Sequence, residues 1–196
     1  LLLALIGGSL FFTYRHVYAD LKIRSGFLVV GSSWLIVGLA GSVPLYASDF
    51  LDLTLIDAIF ESISGLTTTG ATILTNIDDL PHSVKFYRQQ MQWFGGMGII
   101  VLAVAVLPML RIGGMQIYKA ETPGPMKDQK LTPRITETAK ALWYIYLGIT
   151  IMCAVCYFMA GMSLFDAICH AFSTISIGGF SPPDASMGYF NNALIE

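Results

Sequence analysis

The sequence predicts an all-α membrane protein built from a repeated unit of spanning helix, re-entrant half-helix, extended strand and second spanning helix. Three observations carry this. The 196 residues are 55% hydrophobic and 12% charged with a mean hydropathy of +0.65, against roughly 25% charged residues in a soluble domain. Stretches 26–47, 89–110 and 141–165 contain no Asp, Glu, Lys or Arg, and each exceeds the about 20 apolar residues with which a helix crosses a bilayer. Residues 55–72 and 164–181 repeat one another at a spacing of 109 positions, with six of the eighteen identical. The same spacing sets Trp34 over Trp143 in the preceding spans.

Composition also excludes. A net charge of -2 supplies no basic surplus to displace counterions from phosphates, so no nucleic-acid partner is expected. Abundant apolar residues exclude a disordered chain. Cys153, Cys156 and Cys169 are an odd count in apolar surroundings, which argues against a secreted disulfide framework.

The elements follow in order. Run 1–14 is too short to span and has no basic segment before it, so 1–25 is expected to be the end of a truncated spanning helix and a cytoplasmic connection. Residues 26–110 form the first unit, with a span at 26–47, a half-helix at 52–66, a strand at 67–71 and a span at 89–110. Residues 111–140 form a cytoplasmic linker. Residues 141–196 form a second, truncated unit, with a span at 141–163, a half-helix at 164–175 and a strand at 176–180. Orientation comes from the bases, which stay cytoplasmic. Nine of the eleven Lys and Arg residues lie in 15–24 and 111–140, whereas 48–88 holds six acids before Lys85 and Arg88. The half-helices and strands therefore face outward.

About a dozen residues at 1.5 Å each cannot cross a bilayer, so 52–66 and 164–175 are re-entrant. Backbone that leaves a helix at membrane depth must line water or be buried in protein. Here the departing residues are Thr67-Thr68-Thr69-Gly70-Ala71 and Ser176-Ile177-Gly178-Gly179-Phe180. Glycine supplies positive φ, carbonyls replace the hydration shell of a cation, and helix C-termini add partial negative charge.

These two loops, with Gln92-Trp93-Phe94-Gly95-Gly96-Met97-Gly98 opening the next span, resemble the Trk/Ktr/HKT potassium-uptake superfamily, and within it the bacterial Trk-type transmembrane subunits. The resemblance covers essentially the whole chain. It implies four fused units of potassium-channel type, of which one complete and one truncated unit stand here. It further implies potassium uptake across the bacterial inner membrane, with Thr67, Thr68, Thr69, Gly70, Ser176, Ile177, Gly178 and Gly179 as the potassium-binding filter. The expected protein is a multi-pass transporter and not an enzyme. It needs no cofactor beyond the transported potassium ion, works with a cytoplasmic nucleotide-binding regulatory subunit of TrkA type, and forms a homodimer in membrane lipid.

Other readings compete residue by residue. Asp166, His170 and Ser173 share one helical face and imitate a catalytic triad, and an intramembrane hydrolase built on Ser64 or Ser173 with His170 is the alternative function. A non-conducting interaction fragment is a further alternative. Cys153, Cys156, Cys169 and His170 imitate a metal set, yet the first pair lies inside an uncharged span where Cys packs as a small hydrophobe. Gly95, Gly96 and Gly98 are expected to let helices approach closely in lipid. Asp57 and Asp166 are expected to complement their helix dipoles. Single Cys substitutions at Asp78 and Lys127 should be labelled by impermeant maleimide from opposite sides of the membrane, Asp78 from outside. Labelling from one face would contradict both the orientation and the re-entrant reading.

Overall fold

A computed structural model describes residues 2–15, 23–98, 100 and 131–195. Six helices stand in it: α1 Leu2–Tyr14, α2 Ile23–Tyr46, α3 Leu55–Leu66, α4 over 82–98, α5 Leu131–Met159 and α6 Leu164–Ser176. Short 3-10 turns cover Ile77–Asp79 and Ser186–Phe190. No β-strand occurs among the described residues; the two loops after α3 and α6 are backbone without a ladder.

Each unit is a long helix with a half-helix packed on it, α2 on α3 and α5 on α6. The half-helices start where the sequence offers caps. Thr54 and Asp57 form a complete capping box on α3, and Ser163 accepts from the Asp166 amide on α6. Both carboxylates thus sit in a first turn, as the dipole argument expects. Ala58 and Ala167, which occupy matching repeat positions, are both fully buried. Ser62 donates to the Gly38 carbonyl at 2.6 Å and fixes α3 on α2, while the Tyr157 and Thr174 hydroxyls bond at 2.8 Å between α5 and α6.

The distribution of polarity is inverted relative to a water-soluble protein. Leu35, Ile36 and Val43 of α2 and Ile145, Met152 and Phe158 of α5 are exposed, whereas Glu61, Arg88, Gln89, Gln92 and His170 are buried. Lipid tolerates such a surface and water does not. Among the described residues one helical stretch, Glu137–Met159, is both long and apolar enough to cross a membrane, and Val30–Tyr46 is a shorter apolar segment. The end of the expected 89–110 span, the linker at 111–130 and its bases lie outside the described residues.

Two boundaries differ most from those expected. α4 begins at 82 rather than 89, because the charges that delimited the apolar run are held within the helix: Lys85 Nζ reaches back to the Asp78 carbonyl at 2.9 Å, and Arg88 is buried against Glu61. α5 begins at Leu131, so the last ten residues of the expected linker are helical. Pro133 is tolerated there because the first turn has no intrahelical acceptor for its missing N–H.

α4 is shared by both units. A Cβ on Gly95 would lie 1.8 Å from the Leu66 carbonyl oxygen at the end of α3, and one on Gly96 would lie 2.9 Å from Ser176 Cβ at the end of α6. One on Gly98 would meet the Trp34 ring at 3.3 Å. The glycines therefore seat α4 across both half-helix ends. Trp93 completes the seat, stacking on Phe172 at 5.1 Å and donating to Thr150 at 3.0 Å, while Tyr146 donates to the Trp93 carbonyl at 3.0 Å. Gly95→Ala should destabilise the full-length protein by about 1–3 kcal/mol through overpacking. Gly148→Ala, with open space at its Cβ among the described residues, should be near neutral. Thermal loss of monodisperse protein in detergent distinguishes the two, and equal midpoints would contradict the seating.

Candidate ion-conducting site

The site begins where α3 and α6 stop, and both stop the same way. Thr68 and Ile177, matching repeat positions, adopt φ of 56° and 57°. Two residues on, Gly70 and Gly179 have φ of 74° and 83°. The hydrogen bonds match as well. Thr69 N donates to the Ser64 carbonyl at 2.9 Å and Gly178 N to that of Ser173 at 2.8 Å. Thr68 N donates to Gly65 at 3.0 Å and Ile177 N to Thr174 at 3.1 Å. A β-branched residue in the left-handed region is a genuine outlier, and finding one at the same place in both copies marks a site that stores strain.

These bonds dictate where the carbonyls face. In a trans peptide the C=O of one residue is antiparallel to the N–H of the next. The N–H groups of Thr68, Thr69, Ile177 and Gly178 turn into the last helical turns, so the carbonyls of Thr67, Thr68, Ser176 and Ile177 turn away from them. Gly178 differs. Its carbonyl accepts from Gln92 Nε2 at 2.7 Å, and the Phe180 amide donates to Gln92 Oε1 at 3.2 Å. By the same geometry the Gly179 carbonyl points away from Gln92.

The two loops meet. A Cβ on Gly70 would lie 1.9 Å from the Gly178 carbonyl oxygen, so all eight sequence-predicted residues belong to two neighbouring segments. The loops beyond also touch, through Asp78 N to Asp184 at 3.4 Å and Asp184 N to Asp78 at 3.3 Å.

A polar wall stands behind the loops, and sequence reasoning missed most of it. Glu61 Oε1 takes Arg88 Nε at 2.8 Å and Nη2 at 2.7 Å, with both side chains essentially without exposure. Arg88 Nη2 also donates to Thr72 at 2.9 Å, Thr72 donates to Glu61 at 2.8 Å, and Glu61 Oε2 accepts the Ile73 amide at 3.2 Å. The Arg88 guanidinium lies 4.3 Å from the Phe180 ring centroid. Arg88 therefore ties the exit of the first loop to the second. The available signal was a carboxylate amid the apolar positions of α3 and an arginine at the edge of an uncharged run.

The triad geometry is absent. The Asp166 carboxylate accepts from Ser163 at 2.7 Å, and His170 makes no hydrogen bond to Asp166 or Ser173. The His170 ring instead lies between Tyr157 and Phe190, with centroids at 6.2 and 5.5 Å. Ser64 donates to the Ala71 carbonyl at 2.6 Å and so pins the first loop. The three cysteines are free thiols. Beside the second loop a cavity of about 360 Å³ opens, lined by His170, Ser173, Ile177, Gly179 and Phe180 among others.

The family model described as "Cation transport protein", TrkH, matches residues 1–196. The chain belongs to the TrkH family. It is 60% identical over 190 residues to the Trk system potassium uptake protein TrkH of Vibrio parahaemolyticus, covering 97% of this chain and 39% of that protein. It is 49% identical over 191 residues to the Trk system potassium uptake protein TrkG of Escherichia coli K12, with 97% and 39% covered. The crystal structure of the potassium transporter TrkH from Vibrio parahaemolyticus superposes with a TM-score of 0.84 at 53% identity, covering 99% of this chain and 38% of that one. The chain thus spans about two fifths of the length of these TrkH-family proteins, and its fold is that of an all-α membrane protein.

Breaking one side of a buried ion pair strands the other charge and costs about 3–5 kcal/mol. Glu61→Gln and Arg88→Met should each sharply lower the yield of folded full-length protein, and the double variant should lose less than the two losses combined. A double-variant cycle on thermal midpoints measures this, and strict additivity would deny the coupling.

Proposed function

We propose that this chain supplies two of the ion-facing strands of a potassium-uptake pore, with Thr67, Thr68, Thr69 and Gly70 on one and Ser176, Ile177 and Gly179 on the other offering carbonyls in place of water. Gly178 belongs to the same strand but gives its carbonyl to Gln92. The observation that carries the reading is the duplicated helix end: matched left-handed residues and matched hydrogen bonds, 109 positions apart, turn backbone N–H groups inward and carbonyls outward. A hydrolase needs one converging nucleophile and base and gains nothing from a second copy. A pore needs the strand repeated around an axis.

The names of the relatives support the substrate, since they are Trk system potassium uptake proteins. On that basis the full-length protein is a multi-pass transporter of the bacterial inner membrane, with the filter loops outward. The resemblance of the loops and the following span adds a homodimer and a cytoplasmic nucleotide-binding subunit of TrkA type, for which the linker at 111–140 is the natural docking surface. Asp49, Asp57, Asp78, Asp79 and Asp166 raise the local cation concentration at the mouth.

The test is selectivity in the full-length transporter carrying this sequence. Gly70→Ser and Gly179→Ser should weaken discrimination of potassium against sodium more than Thr69→Ser, since a Cβ penalises left-handed backbone by roughly 1–2 kcal/mol. Gly70→Ser should be the more severe, because its Cβ also collides with the Gly178 carbonyl. Growth and flux at limiting potassium with added sodium measure this. Unchanged selectivity in all three would remove these loops from the filter.

A further inference from the structure

The second loop differs from the first in one respect that the repeat does not explain. Where the first has Thr69, the second has Gly178, and Gly178 is not left-handed. Its missing side chain is demanded by a neighbour: a Cβ there would lie 2.4 Å from Gln92 Cδ and Oε1. At Thr69 the side chain is accommodated, and its hydroxyl bonds that of Thr67 at 2.8 Å.

We propose that Gln92 is a positioning residue for selectivity, a buried amide that locks the second filter strand by holding the peptide planes on both sides of Gly179. Gln92 has no exposure, and its amide orientation is fixed because a carbonyl needs a donor and an N–H needs an acceptor. Nε2 holds the Gly178 carbonyl at 2.7 Å, and Oε1 holds the Phe180 amide at 3.2 Å. With the Phe180 N–H turned to the wall, the Gly179 carbonyl is turned the other way. Glycine peptides rotate readily because no Cβ restricts them, so without Gln92 the Gly179–Phe180 peptide is free to flip and withdraw that carbonyl. Gln92 stands one helical turn after Arg88, which lies under the Phe180 ring. α4 of the first unit, held by the glycine seat, therefore sets the filter geometry of the second.

This rests on the filter reading above, and the experiment separates the two. In the full-length transporter carrying this sequence, expressed in cells lacking other potassium uptake, apparent KM for potassium and inhibition by sodium are measured for Gln92→Leu, Gln92→Glu and Gly179→Ser, with membrane abundance by immunoblot. Gln92→Leu removes both hydrogen bonds at similar volume. Gln92→Glu keeps an acceptor for Phe180 but sets a carboxylate oxygen against the Gly178 carbonyl. Both should lower potassium-over-sodium preference by about tenfold at undiminished abundance, Gln92→Leu by losing both buried hydrogen bonds and Gln92→Glu by losing the one to Gly178 and facing its carbonyl with a carboxylate oxygen. Wild-type preference in both Gln92 variants with loss in Gly179→Ser would overturn the role of Gln92 and leave the filter reading standing. Wild-type preference in all three would overturn both. Loss of protein from the membrane in both Gln92 variants would make Gln92 a folding residue and overturn the proposal.

Discussion

Backbone polar groups at membrane depth must find partners within the protein, and every other feature here is arranged around the two places where a helix ends under that rule. At the ends of α3 and α6 the orphan carbonyls take the N–H groups of the loop that follows. That satisfies the helix and leaves the loop with carbonyls facing elsewhere. The same bonds that finish the helix set which way the loop carbonyls face, so helix termination and loop geometry are one problem.

The arrangement costs strain, since Thr68 and Ile177 hold left-handed backbone without being glycine, at roughly 1–2 kcal/mol per residue. The restraint comes from packing. Glu61, Arg88 and Thr72 hold the exit of the first loop, Gln92 holds the second, and the Gly95 and Gly96 contacts press α4 against both helix ends. An isolated buried ion pair contributes little net stability, but this one is hydrogen-bonded on several sides and fixes where Thr72 and Ile73 sit. Its effect is on geometry more than on stability, because it sets the path by which the first loop leaves the end of α3.

Much of this was legible in the sequence and some was not, for physical reasons. Uncharged runs, the 109-position repeat and the paired loops are local signals, and the half-helices appear within a few residues of their expected bounds. α4 starts seven residues before the uncharged run because a charge within a helix need not mark the water boundary. Arg88 is neutralised by Glu61, 27 positions earlier, and no local pattern reveals a partner at that distance. Gln92 was legible as part of a motif but not as a contact, since its targets lie 86 and 88 positions later, in the other unit.

That last separation changes what the repeat means. As a sequence unit, span, half-helix, loop and span belong together, and α4 belongs to the first copy. As a packing unit, α4 stacks Trp93 on Phe172 of the second copy and takes Tyr146 of α5 on its backbone. The duplicated segment is therefore not a self-sufficient module, because the helix that closes one copy is the wall of the next. This explains how the two loops keep two matching helix-end hydrogen bonds while diverging between Thr69 and Gly178. The bonds are made within each copy and follow from its own sequence. The wall comes from a neighbour, so each loop is free to differ wherever a different neighbour touches it.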